Sequence, residues 1–238
     1  MLVLPAIDIM DGKCVRLLQG DPSKVKVYSD DPVNVVKQWK CKGAEFIHLI
    51  DLDAAFGHDK NYAVIHELLK IPLKFQIGGG MSLDKAETYL KLGAFRVIFG
   101  TLAIQNLKMV EEAVHRFGSS HVAVAIDEKK GKTAFHGWTE YSNIDYVDFA
   151  KSLDSLNVGC LIFTPTSVSG TLQGPPLDKI RRLVTSLRIP IIASGGIGRL
   201  EDLRVLAKIG VVGAVVGTAL HEGKFTLEEA LEAVNRVS

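Results

Sequence analysis

The chain has 238 residues, 47% of them hydrophobic and 23% charged, with a net charge of +1. That length fits one α/β barrel or two small domains, and the apolar fraction can fill a large core. The near-zero charge gives no case for a nucleic-acid-binding surface, and Cys14, Cys41 and Cys160 are too scattered for a disulfide frame or a metal site.

Short apolar runs at 2–7, 45–50, 74–77, 96–99, 122–126, 159–163, 190–193 and 213–216 are rich in Val and Ile, which predicts buried strands. Their uniform apolarity points to burial on both faces, as in a parallel sheet. Helical patterns lie between them, over 32–42 after Asp31, 62–69, 83–92 after Ser82 and 107–117 after Asn106. They continue over 145–156, 177–187, 200–209 and 227–237. Eight strands alternating with eight helices predict a single (β/α)8 barrel over 1–238. A doubly wound open sheet would need a reversal of strand order. Residues 13–18 and 132–136 interrupt the alternation and read as extra strands or hairpins, with 21–30 continuing the first of them. Nothing resembles a signal peptide before Pro5, and no apolar run approaches the roughly 18 residues of a membrane helix. The expectation is a cytoplasmic protein that does not engage a membrane.

Four landmarks occur twice, in one order. Ala6-Ile7-Asp8-x-x-x-Gly12-Lys13 returns as Ala125-Ile126-Asp127-x-x-x-Gly131-Lys132. Asp51-x5-Gly57 has a counterpart in Thr164-x5-Gly170, Gly79-Gly80 returns as Gly195-Gly196, and Gly100-Thr101 returns as Gly217-Thr218. The repeat predicts two half-barrels of roughly 1–118 and 119–238, and argues against the open sheet.

Asp8 and Asp127 each end a predicted strand, which places them at the barrel mouth. Burial and a neighbouring like charge both raise a carboxyl pKa, so one can hold a proton while the other is ionised. An isolated strand-end aspartate more often caps the next loop, and the repeat is what favours catalysis here. The glycine pairs bring backbone N–H groups close to an anion, and Thr101 and Thr218 add hydroxyl donors. Their plainer use is tight turning. Two facing aspartates between two anion sites suit acid–base chemistry on a small molecule with two phosphates. Thr164 reads either as a substrate contact or as a satisfied strand-end hydroxyl. Arg16 reads as a phosphate clamp or a solvated cation, and Trp138 as a ring-stacking residue or a cover for the core edge. Gly174 belongs to a loop, 170–175, of the kind that closes over ligands. His48 reads as a satisfied core histidine, and the seven histidines show no metal-ligand spacing.

These residues resemble a known family. Leu4-Pro5-Ala6-Ile7-Asp8, Gly12-Lys13, Val15-Arg16-Leu17, Gln19-Gly20, Gln76-Ile77-Gly78-Gly79-Gly80, Gly137-Trp138 and Gly170-Thr171-Leu172-Gln173-Gly174 are similar to the ProFAR isomerases of histidine biosynthesis. The resemblance covers essentially the whole chain. It implies a two-fold symmetric (β/α)8 barrel and an Amadori rearrangement of an aminoaldose, ProFAR, to an aminoketose, without cofactor or metal. It carries the essential aspartates onto Asp8 and Asp127 and the threonine onto Thr164. Asp8 is assigned as base and Asp127 as acid, although a coupled pair is equally compatible with the reverse. Arg16, Gly20 and Trp138 fall in the substrate-binding set with the glycine and threonine turns. A monomer is expected.

Two departures from the family pattern stand out. Ser169 occupies a position that is usually Asp, and the third loop, Gly80-Met81-Ser82, is one residue short and lacks an arginine. Rival readings are the cyclase on the same barrel, an isomerase that also accepts phosphoribosylanthranilate, and a non-catalytic sugar-phosphate-binding paralogue.

Overall fold

The computed structural model describes residues 1–18, 21, 23–135, 138 and 140–235. Eight parallel strands form its centre: β1 (Leu2–Met10), β2 (Phe46–Asp51), β3 (Lys74–Gly78), β4 (Arg96–Phe99), β5 (Val122–Lys129), β6 (Cys160–Pro165), β7 (Ile191–Ser194) and β8 (Gly213–Val216). Each pairs with the next in chain order, and β8 pairs with β1 from Leu2↔Gly213 to Pro5↔Val216. The sheet is therefore a closed barrel, and the open-sheet alternative is excluded.

The main helices are α1 (Pro32–Cys41), α2 (Tyr62–Leu69), α3 (Leu83–Lys91), α4 (Leu107–Phe117), α5 (Tyr146–Asp154), α6 (Leu177–Ser186), α7 (Leu200–Ile209) and α8 (Leu227–Asn235). Asp31, Ser82 and Asn106 cap α1, α3 and α4, each side chain accepting from a backbone N–H in the first turn. Positions 236 and 237, at the end of the predicted last helix, lie outside the described residues. Three one-turn helices, Leu52–Ala55, Thr101–Gln105 and Thr218–His221, start the loops after β2, β4 and β8. No helix of the described residues is long and apolar enough to cross a membrane.

Alternation along the strands divides the core into two layers. Leu4, Phe46, Ile98, Cys160, Ile162, Ile192 and Val215 point inward and plug the barrel. Ile7, Leu49, Phe75, Ile77, Phe99, Leu161 and Phe163 point outward under the helices. Polar side chains also enter the barrel. Arg96 reaches the Gln76 amide oxygen at 3.3 Å and the Cys160 sulfur at 3.1 Å, and Gln76 Nε2 lies 2.8 Å from His48 Nδ1.

Two expectations about strand ends need correction. β1 and β5 run on to Met10 and Lys129, so Asp8 and Asp127 do not end their strands. Each sits where the strand leaves the barrel and enters an antiparallel hairpin. Asp8 pairs with Ile50 on one side and Val15 on the other; Asp127 pairs with Thr164 and Ala134. The hairpin strands Lys13–Leu17 and Lys132–Phe135 supply the extra pairing, and Val25–Ser29 and Glu140–Asp145 extend each hairpin to a third strand. Val25, Val27 and Ile144 on these outer strands are exposed, so their partners rather than burial make them strands. The helix expected from 145 accordingly starts at Tyr146, with Asp145 as its cap.

The second correction concerns Asp51. Because Asp8 pairs with Ile50 and Asp127 with Thr164, Ile50 is the positional equivalent of Thr164. Asp51 faces the other way. Its carboxylate accepts from the Ala54 N–H at 3.1 Å and the Asn61 amide at 2.7 Å, in a buried network that Asp53 shares.

Phe75 is fully buried in the outer layer. Phe75→Ala is expected to cost about 3–5 kcal/mol through lost transfer energy and the cavity left behind. Denaturant unfolding checks this, and a loss under 1 kcal/mol would contradict the described packing.

Candidate active site

Loops at the C-terminal ends of the strands surround a cavity of ≈ 710 Å³. Its wall includes Asp8, Arg16, His48, Gly79, Gly80, Gly100, Thr101, Asp127, Trp138, Thr164, Ser169, Gly195, Gly196, Gly217 and Thr218. In the ring of strands β1 and β5 stand opposite one another, four strands apart either way round. Asp8 and Asp127 therefore enter one hollow from opposite sides. That volume accommodates a ligand of the size of a bis-phosphorylated nucleotide analogue.

The two carboxyls have unlike surroundings. Asp8 is 7% exposed and forms an ion pair with Arg16 Nη1 at 2.7 Å. Arg16 Nη2 donates to Ser169 Oγ at 2.8 Å, so this side chain ties the first loop to the sixth. The sequence left Arg16 between a phosphate clamp and a solvated cation; it is not a solvated cation, being bound to Asp8 and Ser169. Asp127 is half-buried and, among the described residues, meets no cation of this kind. Burial pushes its pKa up to about 6, against hydrogen bonds from Trp138 and Thr164 that favour the charged form. The like charge anticipated from sequence plays no visible part, which fits the neutralisation of Asp8 by Arg16. His48 is buried, which pushes its pKa down to about 4 and leaves the ring neutral. Its Gln76 partner makes it a satisfied core histidine, as the sequence implied, although its edge reaches the cavity.

Trp138 bonds to Asp127 from a left-handed backbone position, φ 72°. Trp138 also lies on the cavity wall.

The glycine turns divide into two kinds. A Cβ on Gly79 would lie 2.1 Å from the Asp51 carbonyl oxygen, and one on Gly196 2.5 Å from that of Gly174. Both have positive φ, so close packing of neighbouring loops suffices to require glycine there. Gly100 and Gly217 differ. They share nearly the same backbone geometry, φ −108° ψ −97° and φ −107° ψ −89°. A Cβ on Gly100 would meet nothing within 4 Å, and one on Gly217 would meet Ala6 at 3.4 Å. These positions face the hollow, with Thr101 and Thr218 beside them. Among the described residues, Thr218 Oγ1 and Arg16 Nε are buried polar atoms without a hydrogen-bond partner, and both lie on the cavity wall.

Gly174 stands one layer back from the wall. Its N–H donates to the Gly196 carbonyl at 2.8 Å, while Leu172 from the same loop reaches the cavity. Gly20, the Gln19-Gly20 pair and Gly137 lie outside the described residues. The shortened third loop keeps Met81 buried on the wall and uses Ser82 as helix cap. The longer seventh loop spends its extra residue at Gly198, whose Cβ would lie 2.5 Å from the Leu172 carbonyl.

A family model described as histidine biosynthesis protein matches residues 2–226. The chain belongs to the histidine biosynthesis protein family. A relative from Clostridium botulinum (strain Langeland) is 42% identical over all of this chain and 99% of its own length. Relatives from Methanosphaera stadtmanae and Methanosarcina mazei are 40% and 43% identical, over 98% and 97% of this chain and 99% and 96% of theirs. All three are named 1-(5-phosphoribosyl)-5-((5-phosphoribosylamino)methylideneamino)imidazole-4-carboxamide isomerase.

Within this family member, sequence reasoning did not find the Arg16–Ser169 contact, which joins positions 153 apart. Nor did it find Lys179, whose ammonium meets both Glu128 oxygens at 2.7 Å beside Asp127. No local spacing signals either pair.

The two kinds of glycine separate by experiment. Gly79→Ala is expected to destabilise the fold by at least about 2 kcal/mol through clash and strain. Gly100→Ala is expected to stay within about 0.5 kcal/mol of wild type while weakening inorganic phosphate binding. Melting curves with and without phosphate check both. Equal destabilisation by the two substitutions would remove the distinction.

Proposed function

We propose that this protein is a ProFAR isomerase, converting the aminoaldose to the aminoketose with Asp8 as base, Asp127 as acid and Thr164 as the donor that orients Asp127. The observation that carries the assignment is the unlike setting of the two carboxyls in one cavity. Asp8, paired with a guanidinium, is presented as a carboxylate. Asp127, pushed up to about 6 by burial, is poised to give a proton near neutral pH.

The steps balance without any co-reactant. Asp127 gives its proton to the ribose ring oxygen, the C1–O bond breaks, and the anomeric nitrogen's lone pair forms a protonated Schiff base. Asp8 then takes the proton from C2, and the electrons of that C–H bond form the C1–C2 double bond of an enolamine. The C2 hydroxyl loses its proton, C1 gains one, and the aminoketose results. Two hydroxyl-bearing turns, Gly100-Thr101 and Gly217-Thr218, would bind the two phosphates at opposite sides of the hollow, with Gly79, Gly80, Gly195 and Gly196 lining the approach. Arg16 and Trp138 hold the two carboxyls while the ligand enters, Gly174 supports the seventh loop, and Gly20 belongs to the same substrate-binding set. The two half-barrels, roughly 1–118 and 119–238, each contribute one aspartate and one phosphate turn. The proposed enzyme acts as a cytoplasmic monomer on this small bis-phosphorylated substrate, with no nucleic-acid or membrane partner.

Mixing the purified protein with ProFAR and following its conversion tests the reading. Asp8→Asn and Asp127→Asn are each expected to lower kcat by about 10²–10⁴-fold. Binding without turnover by wild type, or turnover that survives both substitutions, would overturn it.

The raised carboxyl also sets a pH dependence. If protonated Asp127 is the acid, kcat/KM falls about tenfold per pH unit above pH 6. The folded state holds this proton more tightly than the unfolded chain, where the ordinary value is 3.8. Stability from this group is thus present below 3.8 and lost as pH rises through about 6. Asp127→Asn should accordingly exceed wild type in stability above pH 6, by up to about 3 kcal/mol, with the gap closing toward pH 4. Urea titrations across this range check the sign.

A further inference from the structure

The first-loop hairpin is anchored away from the cavity by a contact that the chemistry above does not use. Tyr28, on the outer strand Val25–Ser29, stacks on His221 with ring centroids 4.5 Å apart and planes 5° from parallel. His221 ends the one-turn helix Thr218–His221 that starts the eighth loop. Its Nε2 lies 3.0 Å from the Ala6 carbonyl oxygen, and its ring meets Trp39 of α1 at 5.0 Å. The next residue, Glu222, accepts from Lys26 Nζ at 2.7 Å and from the Tyr28 hydroxyl at 3.2 Å. The same hairpin carries Arg16, which lies directly across from Lys26 in the antiparallel register. Opposed residues share a face of the ribbon, so Arg16 and Lys26 both look toward the eighth loop, and Tyr28, at the bulge beyond them, meets it through His221. The Arg16 guanidinium carbon would lie 3.9 Å from a Cβ on Gly217, which starts that loop.

We infer that Tyr28 and His221 are positioning residues, which dock the hairpin on the eighth loop and so hold Arg16 against Asp8. Apart from this stack and the bonds to Glu222, the outer strand presents exposed side chains: Val25 and Val27 are 40% and 51% exposed. The strand Lys13–Leu17 is paired to β1 only from Met10↔Lys13 to Asp8↔Val15, so Arg16 lies just past the last pair and the outer strand reaches the barrel sheet only through it. Its docking therefore decides whether Arg16 stays on a single pair of partners. The eighth loop carries Gly217 and Thr218, so a ligand there meets a turn already bound to the hairpin. The inference rests on the reading of Asp8 as base, because Arg16 matters to the rate only through that carboxylate.

The test has two arms. In the kinetic arm, Tyr28→Ala is expected to lower kcat by roughly fivefold to tenfold with little change in KM, the factor that one stacked pair represents. Tyr28→Phe, which keeps the stack, should recover most of the loss. In an Arg16→Ala background, Tyr28→Ala should add no further loss, because its effect runs through Arg16. An additive loss, or a wild-type rate for Tyr28→Ala, would overturn the inference.

The second arm needs no turnover. Guanidinium NMR of the ¹⁵N-arginine-labelled protein should show resolved Arg16 Nη–H signals, identified by their absence in Arg16→Ala. They should collapse into an exchange-averaged signal in Tyr28→Ala and persist in Tyr28→Phe. Signals unchanged in Tyr28→Ala overturn the inference even if the kinetics agree. An inactive wild type with the expected NMR behaviour would instead remove the isomerase reading while leaving the docking role in place.

Discussion

The Arg16–Asp8 ion pair makes two otherwise matching carboxyls different. Asp8 and Asp127 occupy corresponding places on opposite strands, each with an antiparallel neighbour from its own hairpin. A barrel with two bare carboxylates in one dry hollow would place like charges in a medium that screens them poorly. The guanidinium at 2.7 Å removes that conflict on one side. On the other side burial acts alone, and hydrogen bonds from Trp138 and Thr164 only moderate it. The acid and base roles proposed above rest on this difference in setting and do not require any difference in the aspartates themselves.

The asymmetry is assembled from parts that lie far apart in the chain. Arg16 comes from the first loop, Ser169 from the sixth, and the aromatic ring docking the hairpin meets His221 at the start of the eighth. Where β6 offers the Thr164 hydroxyl to Asp127, β2 offers only the Ile50 side chain at the matching place beside Asp8. Asp8 thus takes a cation from its own hairpin, whereas Asp127 takes uncharged partners from its own hairpin and from β6. Lys179, bound to Glu128 from α6, fixes the strand end that carries Asp127 without entering the cavity.

Much of this was legible in the sequence, and the failures have identifiable causes. Apolar runs marked all eight barrel strands because both faces of each are buried. The same signal stopped at Ile7 and Ile126, while hydrogen bonding continued to Met10 and Lys129. The sequence marks 21–30 only as a continuation of the first hairpin and gives no strand signal at Glu140–Asp145, because outer strands have no buried face to pattern. The duplicated Asp-x-x-x-Gly-Lys motif found both carboxyls, since it records a shared strand-to-hairpin geometry. Matching Asp51 to Thr164 failed by one residue, and one residue in a strand reverses the face. The use of Arg16 by Asp8 was out of reach: a hairpin folded back on its own strand brings them together, and sequence spacing does not say on which side. Ser169 appeared only as a missing carboxylate, and its contact with Arg16 gives it a definite role.

The glycine repeats teach a similar lesson. All four pairs looked like anion turns, yet Gly79 and Gly196 are already required by neighbouring carbonyls. Gly100 and Gly217 have matched backbone angles and open surroundings, so no neighbouring carbonyl accounts for them. Recurrence alone does not distinguish them; the direction in which an absent Cβ would point does.

The central claim is that burial raises the Asp127 carboxyl well above the ordinary aspartate value while its counterpart across the cavity is charge-paired. The most direct measurement is ¹³C NMR of the Asp127 side-chain carboxyl in the ligand-free protein as a function of pH. The account predicts a midpoint near 6. A midpoint at the ordinary aspartate value of 3.8 would contradict it.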